Sequence, residues 1–129
     1  MRILAIESAT VDCSVALCVG EEQLQVHAEA GAAKPSEQLP ALVSRVLATG
    51  GLNLRELDAI AFDHGPGAFT GIRIGCALAQ GLALGAGLPL LGLCSLRILS
   101  LQAPDGRVLA MLDARMGEVY WACFERWQL

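Results

Sequence analysis

The stretch GPGAFTGIRIG, residues 65–75, places four glycines and one proline in eleven positions, between one apolar run and another. A strand, a glycine-rich turn and a helix that begins at the turn form an arrangement in which free backbone N–H groups bind phosphate. The same glycines let two pieces of backbone lie close together, because glycine has no side chain. The choice between phosphate binding and close packing therefore constrains both the fold and the function.

The loop matches neither of the two common phosphate-binding motifs. A P-loop requires a lysine directly after its second glycine, and the one lysine of this chain is Lys34. The dinucleotide-binding fingerprint requires glycine at position 70, where Thr70 stands. Thr70 is predicted instead to be the N-cap of the following helix. The residues alone favour close packing over phosphate binding, and both interpretations stay open.

The helix after the loop carries small residues at a helical spacing. Gly71, Gly75 and Ala79 recur at every fourth position and predict a groove along one flank of the helix. Gly81 and Gly85 form a second pair. Because a glycine inside a helix costs roughly 0.5–1 kcal/mol relative to alanine, these positions predict the close approach of another backbone.

Composition and charge argue against several classes of protein. The chain has 9 basic and 13 acidic residues, a net charge of −4 and no Lys/Arg-rich run, so direct nucleic-acid binding is not expected. Five cysteines without C-x-x-C spacing predict neither a disulfide framework nor a zinc site. Residues 71–87 fall short of the roughly 20 apolar residues of a membrane span, and a helix buried on most of its circumference is expected there. The first apolar run ends at Glu7, too early for a signal peptide, so a cytoplasmic protein is expected.

Hydrophobic periodicity predicts alternating strands and helices after an antiparallel meander. In the first helix, Ser36 is the predicted cap, Pro40 is placed in the first turn and Gly50 begins the stop signal. The predicted elements, in order, are strands at 2–8, 14–20 and 24–30, a helix at 36–49, a strand at 58–63, the glycine loop and its helix, a strand at 88–95, a helix at 95–103 and a hairpin at 107–125.

Five motifs, in their order and spacing, resemble the bacterial TsaB (YeaZ) family: ILAIESAT, SEQLPALV, GPGAFTGIRIG, AQGLALG and LDARMGEVY. The resemblance covers essentially the whole chain. It implies an α/β fold of the actin/sugar-kinase/Hsp70 (ribonuclease H-like) superfamily, in which each domain follows a βββαβαβα plan. It therefore predicts an N-terminal actin-like domain at 1–103 and, at 104–129, only the first hairpin of a truncated second domain of the same kind.

The resemblance also implies a function. Members of this family take part in threonylcarbamoylation of adenosine 37 in tRNAs that read ANN codons, as noncatalytic scaffolds and activators. The implied partners are the catalytic relative TsaD and the ATPase TsaE, with tRNA met only through that complex. The isolated protein is expected to form a homodimer. ATP and Mg²⁺ are expected to be used by the complex, with no cofactor and no metal bound by this chain alone and no membrane association.

Under this hypothesis the partner interface lies on the first two helices. Small residues of the second helix would let the backbones of a partner approach, whereas the apolar stripe of the first helix faces either the partner or the core. The predicted interface residues are Leu39, Leu42, Val43, Val46, Gly71, Gly75, Ala79, Leu82 and Ala86.

The alternative hypothesis is an enzyme of the actin-like superfamily that hydrolyses a nucleotide or transfers a phosphoryl group. The family usually has aspartate at the end of the first strand, and the longer Glu7 of this chain weakens the catalytic interpretation. His27 and His64 are far apart in sequence and neither has a second ligand at helical spacing, so no metal site is predicted. The candidate phosphate-binding residues are Glu7, Ser8, Thr10, Gly65, Gly67 and Thr70.

Overall fold

The computed structural model describes residues 1–10, 12–27 and 34–126. The predicted order βββαβαβα, followed by a hairpin, is confirmed; positions 28–30 of the predicted third strand lie outside the described residues. The elements are β1 (Arg2–Glu7), β2 (Ser14–Val19), β3 (Glu22–His27), α1 (Pro35–Gly50), a 3₁₀ turn (Leu54–Glu56), β4 (Ala59–Asp63), α2 (Phe69–Ala86), β5 (Leu90–Leu93), α3 (Ser95–Ser100), β6 (Gly106–Arg115) and β7 (Glu118–Arg126).

Five strands form one mixed sheet in the order β3-β2-β1-β4-β5. β1, β2 and β3 pair antiparallel, as predicted for a meander, whereas β4 lies parallel to β1 and β5 lies parallel to β4. Antiparallel neighbours need only short turns, but parallel neighbours need a crossover, which α1 and α2 supply. β6 and β7, in the region expected to begin a second domain, form a separate two-stranded sheet.

The hydrophobic core lies between one face of the five-stranded sheet and the helices α1 and α2. Alternate residues of a strand share a face, and residues three or four apart share a side of a helix. The apolar residues that recur at these two spacings therefore pack together between the sheet and the helices. The core includes Leu4, Ile6, Val15, Leu17, Leu39, Leu42, Val43, Val46, Ile60, Ala79 and Ala83.

The apolar stripe of α1 belongs to this core, which corrects its assignment to the partner interface. Leu39, Leu42, Val43 and Val46 are each at most 6% exposed. The opposite side of α1 carries exposed polar residues such as Arg45. The sheet offers a large apolar surface within the same chain, so the hydrophobic effect buries the stripe there, and a partner cannot reach these four side chains.

The ends of the two long helices also differ from prediction. α1 has Lys34 as its N-cap in place of Ser36, and Pro35 is its first residue, so Pro40 lies inside the helix rather than in the first turn. Proline favours the first helical position because its ring fixes φ and its missing N–H is not needed there. α2 has Ala68 as its N-cap, so Thr70 is a helical residue and not the cap.

α2 is not buried on most of its circumference, which corrects a second expectation. Its buried residues, Gly71, Gly75, Ala79 and Ala83, form one narrow stripe, and the helix contacts β1 and β4. Leu84, by contrast, is 87% exposed. By length and composition α2 passes as a candidate membrane span, but one such helix is weak evidence for a membrane.

Replacing Leu39 with alanine is expected to lower the free energy of unfolding by about 2–5 kcal/mol, because the deletion leaves a cavity in a closed core. The matched variant Leu101→Ala should change it by less than about 0.5 kcal/mol, because Leu101 is exposed and lies outside α2. Urea unfolding followed by circular dichroism measures both. Equal effects of the two substitutions would contradict the assignment of the α1 stripe to the core.

Candidate functional site

Two loops leave the carboxyl ends of the parallel strands β1 and β4. The pairing of the two strands brings their terminal acids, Glu7 and Asp63, to the same edge of the sheet. We term residues 7–10 the first turn and residues 65–71 the glycine loop. Ligands of open α/β sheets bind outside the carboxyl ends of parallel strands, so a phosphate held by the predicted residues would lie here.

The first turn is closed by its own glutamate. Oε1 of Glu7 accepts hydrogen bonds from the backbone N–H of Ala9 at 2.7 Å and from that of Thr10 at 3.2 Å. The Thr10 hydroxyl lies 3.4 Å from Glu7 Oε2 and 3.1 Å from the Asp12 carbonyl oxygen, so its single proton is shared between them. Successive N–H groups that converge on one oxygen form a nest, a geometry that binds anions. The Glu7 carboxylate takes the position that a phosphate oxygen would need.

Asp63 holds the start of the glycine loop in a similar way. The Asp63 side chain is buried, and its Oδ1 accepts hydrogen bonds from Gly65 N–H at 2.8 Å and from Ser95 Oγ at 2.6 Å. Gly65 has a φ of 98°, which favours glycine at this position. The sequence patterns did not identify Asp63 or Ser95. An acid that ends a strand just before a glycine turn was the signal available for Asp63.

The glycine loop lies directly against the first turn. The Ala68 N–H donates to the Ala9 carbonyl oxygen at 2.6 Å, and the Ser8 hydroxyl donates to the Gly71 carbonyl oxygen at 2.8 Å. A Cβ added at Gly67 would clash with the Ala9 carbonyl oxygen, and one added at Gly71 would clash with the Ser8 carbonyl oxygen. The close approach that the glycines predicted is therefore made by the first turn of the same chain.

The groove of small residues on α2 faces inward as well. A Cβ added at Gly75 would clash with the Ser8 hydroxyl, and the Ala79 side chain is fully buried. The assignment of Gly71, Gly75 and Ala79 to the partner interface is therefore corrected, because their small size serves the contact of α2 with β1 and the first turn. Two predicted interface residues of α2 are half-buried, and their role at an interface stays a prediction: Leu82 and Ala86.

The second glycine pair of α2 has a different environment. A Cβ added at Gly81 or at Gly85 would meet no atom of the described chain within 4 Å. Both glycines are exposed, and Leu84 beside them is among the most exposed large apolar residues. Close packing within the described chain therefore does not account for Gly81 and Gly85.

A cavity of about 490 Å³ opens between the two loops and the β6–β7 hairpin. Phe69 lines it from the start of α2, and Arg115 and Tyr120 line it from the hairpin. Two of the candidate phosphate-binding residues, Thr10 and Gly67, also line it. The other four do not: Glu7, Ser8, Gly65 and Thr70.

Several backbone N–H groups at the candidate phosphate site are bonded within the chain. The N–H groups of the first turn are bonded to Glu7, that of Gly65 is bonded to Asp63 and that of Ala68 is bonded to Ala9. In the part of the chain that the structure describes, no group of three His, Cys, Asp or Glu side chains could hold a metal ion. The backbone donors of Ala9, Thr10, Gly65 and Ala68 are therefore already occupied, whereas the start of α2 has no side-chain cap.

The Glu7 carboxyl is partly buried and interacts with the charge of Asp63. Burial raises the pKa of the Glu7 carboxyl above its ordinary value of about 4.5, and the Asp63 carboxylate raises it further. The hydrogen bonds from Ala9 and Thr10 lower this pKa without cancelling the rise. The ionised Glu7 carboxylate is therefore held in the fold at some cost in stability.

Replacing Gly71 with alanine is expected to lower the free energy of unfolding by about 1–3 kcal/mol, because the new methyl group meets a backbone carbonyl that cannot move aside. The matched variant Gly81→Ala should raise it by about 0.5–1 kcal/mol, since the added Cβ points into open space and alanine favours the helix. Thermal and urea unfolding of both variants test whether Gly71 packs closely against the first turn while Gly81 has free space beside it. An increase in stability caused by Gly71→Ala would refute this assignment.

Replacing Glu7 with glutamine should make the protein more stable than the wild type at pH 7. The amide oxygen still accepts the two N–H bonds, while the buried charge beside Asp63 is removed. Because the pKa of Glu7 is raised in the fold, the wild type loses stability as pH rises from about 4.5 through that raised pKa. The advantage of the variant should therefore vanish below about pH 4.5, which urea unfolding across pH measures. An advantage that grows toward low pH would contradict this account.

Known proteins are similar to this chain in sequence and in structure. A family model described as TsaD, tRNA N6-adenosine threonylcarbamoyltransferase, matches residues 20–128. The tRNA threonylcarbamoyladenosine biosynthesis protein TsaB of Escherichia coli (strain K12) is 46% identical over 130 residues, which cover 98% of this chain and 56% of that protein. YeaZ from Pseudomonas aeruginosa superposes with a TM-score of 0.90 at 40% identity, over 98% of this chain and 61% of that chain. The chain thus spans a little over half the length of these relatives.

The fold alone is shared more widely. Ethanolamine utilization protein EutJ from Carboxydothermus hydrogenoformans superposes with a TM-score of 0.54 at 18% identity, over 98% of this chain and 52% of that chain. The predicted actin/sugar-kinase type of α/β fold is confirmed. The sequence motifs, the family model and the superposition on YeaZ agree, and the chain belongs to the TsaB (YeaZ) group within the family described as TsaD, tRNA N6-adenosine threonylcarbamoyltransferase.

Proposed function

We propose that the protein acts in the N6-threonylcarbamoylation of adenosine 37 in tRNAs that read ANN codons, as a noncatalytic subunit that pairs with TsaD and, through the complex, with TsaE. The names of the relatives support the pathway. The observation that carries the role of a partner-binding subunit is the exposed glycine pair on the outer side of α2.

The outer side of α2 fits the approach of a partner helix. Each of Gly81 and Gly85 destabilises the isolated helix by roughly 0.5–1 kcal/mol, with no compensating contact in the described chain. Leu84 lies between them in sequence and exposes a large apolar side chain to solvent. A second helix packed here would bury Leu84 and use the missing Cβ atoms for a short interaxial distance. The proposed interface consists of the exposed residues Ala77, Gly81, Leu84 and Gly85, whereas Leu82 packs against the core of its own chain.

The site at the end of β1 supports a noncatalytic role. Glu7 occupies the N–H groups of the first turn, and Asp63 is committed to the glycine loop. In this proposal TsaD supplies the chemistry, and ATP and Mg²⁺ act in the complex. The net charge of −4 favours contact with tRNA through the complex rather than through this chain. Without TsaD, the same side of α2 would join two copies in a homodimer, in the cytoplasm.

The alternative, an actin-like enzyme that hydrolyses a nucleotide, gains no support from these contacts. The discriminating measurement is Mg-ATP turnover by the isolated full-length protein. We expect no turnover above the background of a buffer control. Turnover that Glu7→Gln abolishes would establish the enzyme and refute the noncatalytic proposal.

Replacing Gly81 with leucine in the full-length protein is expected to weaken binding to TsaD at least about tenfold, because the side chain fills the space that the partner backbone needs. The same change should leave the fold intact or more stable, since leucine is the better helix former. Isothermal titration calorimetry and co-elution measure binding, and thermal unfolding measures stability. The control variant Gln102→Leu adds the same side chain at an exposed position outside α2. Unchanged affinity of a folded Gly81→Leu protein would rule out this interface.

A further inference from the structure

We propose that Arg73 determines which partner α2 accepts, by pairing with a carboxylate that a partner protein presents and that the α2 of a second copy of this chain lacks. The inference rests on the proposed function and deepens it, because it names the chemistry that the partner surface must carry opposite α2. In the proposed complex, TsaD presents this carboxylate.

Arg73 lies on the same exposed side of α2 as the proposed interface. Ala77 follows it by four residues and Leu84 by eleven, and these spacings place all three on one side of a helix. All three are exposed, and Leu84 lies about 16 Å from Arg73 along the helix axis. A partner helix that covers Leu84 and runs toward the start of α2 therefore meets Arg73.

The charge of Arg73 is not balanced within the described chain. Arg73 is the single charged residue of α2, and the ion pairs among the described residues do not include it. It is also the fifth residue of the helix, close to the end at which the helix dipole favours a negative charge, and the first turn of α2 has no acidic residue. The start of α2 therefore presents an uncompensated positive charge to whatever molecule covers it.

The Phe69 ring holds the Arg73 guanidinium at the surface. Cζ of Arg73 lies 3.2 Å from the centroid of this ring, which belongs to the preceding helical turn and is 71% exposed. A guanidinium stacked on an aromatic face keeps the N–H groups at its edge available, and their fork matches a carboxylate. Because the stack restricts the arginine before binding, less conformational entropy is lost when the pair forms.

A carboxylate of a protein fits this position better than a nucleic-acid phosphate. A helix packed along α2 would cover Arg73 between the Phe69 ring and Ala77, away from water, where a charge without a partner is costly. Nucleic acid requires several cations along its backbone, whereas α2 has one and the chain has a net charge of −4.

A second copy of the chain does not satisfy Arg73 through α2. Residues 69–86 contain no aspartate and no glutamate, so a contact between two α2 helices would cover each Arg73 with uncharged side chains. Interfaces gain specificity from an unpaired charge in the wrong complex as well as from a pair in the right one. Arg73 should therefore favour the complex with TsaD over the homodimer.

The test is Arg73→Gln in the full-length protein. This variant is expected to bind TsaD at least about tenfold more weakly, because it leaves the partner carboxylate unpaired. Wild-type affinity should fall as sodium chloride is raised, and the variant should lose part of that salt dependence. Homodimer affinity should stay the same or increase. Isothermal titration calorimetry measures TsaD binding, sedimentation equilibrium measures the homodimer, and thermal unfolding shows that the variant folds.

A second stacked arginine provides the matched control. Arg97 of α3 is exposed, and its Cζ lies 5.3 Å from the centroid of the Phe124 ring, outside the proposed interface. Arg97→Gln should leave TsaD affinity, its salt dependence and the homodimer unchanged. Equal effects of Arg73→Gln and Arg97→Gln on TsaD binding would contradict a specific role of Arg73.

A double-mutant cycle tests whether Phe69 positions the guanidinium. Phe69→Leu keeps an apolar side chain but removes the aromatic face, and it should weaken TsaD binding in the wild-type background. In the Arg73→Gln background the same change should have a smaller effect, since no guanidinium remains to be held. Additive effects of the two substitutions would overturn the positioning role of Phe69.

The remaining outcomes separate this inference from the proposed function. If Gly81→Leu disrupts TsaD binding while Arg73→Gln changes neither affinity nor salt dependence, the role of Arg73 is refuted and the interface stands. Equal weakening of the homodimer and of TsaD binding by Arg73→Gln would refute the choice between partners. Weaker tRNA binding by the complex at unchanged TsaD affinity would assign Arg73 to a phosphate and also refute the inference. Absence of TsaD binding by the wild type would refute both proposals.

Discussion

The backbone of the first turn passes so close to the start of α2 that no side chain can stand between them. Ser8 and Ala9 meet Gly67, Gly71 and Gly75 at this contact, through hydrogen bonds and through the space left by missing Cβ atoms. The contact fixes α2 against the end of β1, so the two loops that follow β1 and β4 form one rigid edge. The position of α2, the closure of the first turn and the direction of the exposed side of α2 all follow from it.

The small residues of α2 divide into two groups with different physical roles. Gly71, Gly75 and Ala79 are small because the chain's own turn lies against them. Gly81 and Gly85 gain nothing from the described chain, and in the proposed function a partner helix compensates their helical cost. A single helix thus holds the domain together along one side and, in the proposed function, receives a partner along the other.

At this edge of the sheet the N–H groups of Ala9, Thr10 and Gly65 serve the fold. Glu7 and Asp63 end adjacent parallel strands, and each turns back onto the N–H groups of the loop that follows it. A shared fold does not imply a shared function, because function depends on which groups stay available to a ligand. In the proposed complex, this edge would contribute rigidity rather than catalysis.

The sequence by itself determined the order of strands and helices, the family and the fact that something must lie close to the glycines, because periodicity, motif spacing and helix propensity are local properties. Only the tertiary structure decided what lies there. An apolar stripe such as that of Leu39 and Val46 shows that a surface is buried, but not whether its own sheet or a partner buries it. Likewise Asp63 and Ser95 meet across 32 residues. Contacts between distant segments depend on how the chain folds back on itself, and no local pattern records them.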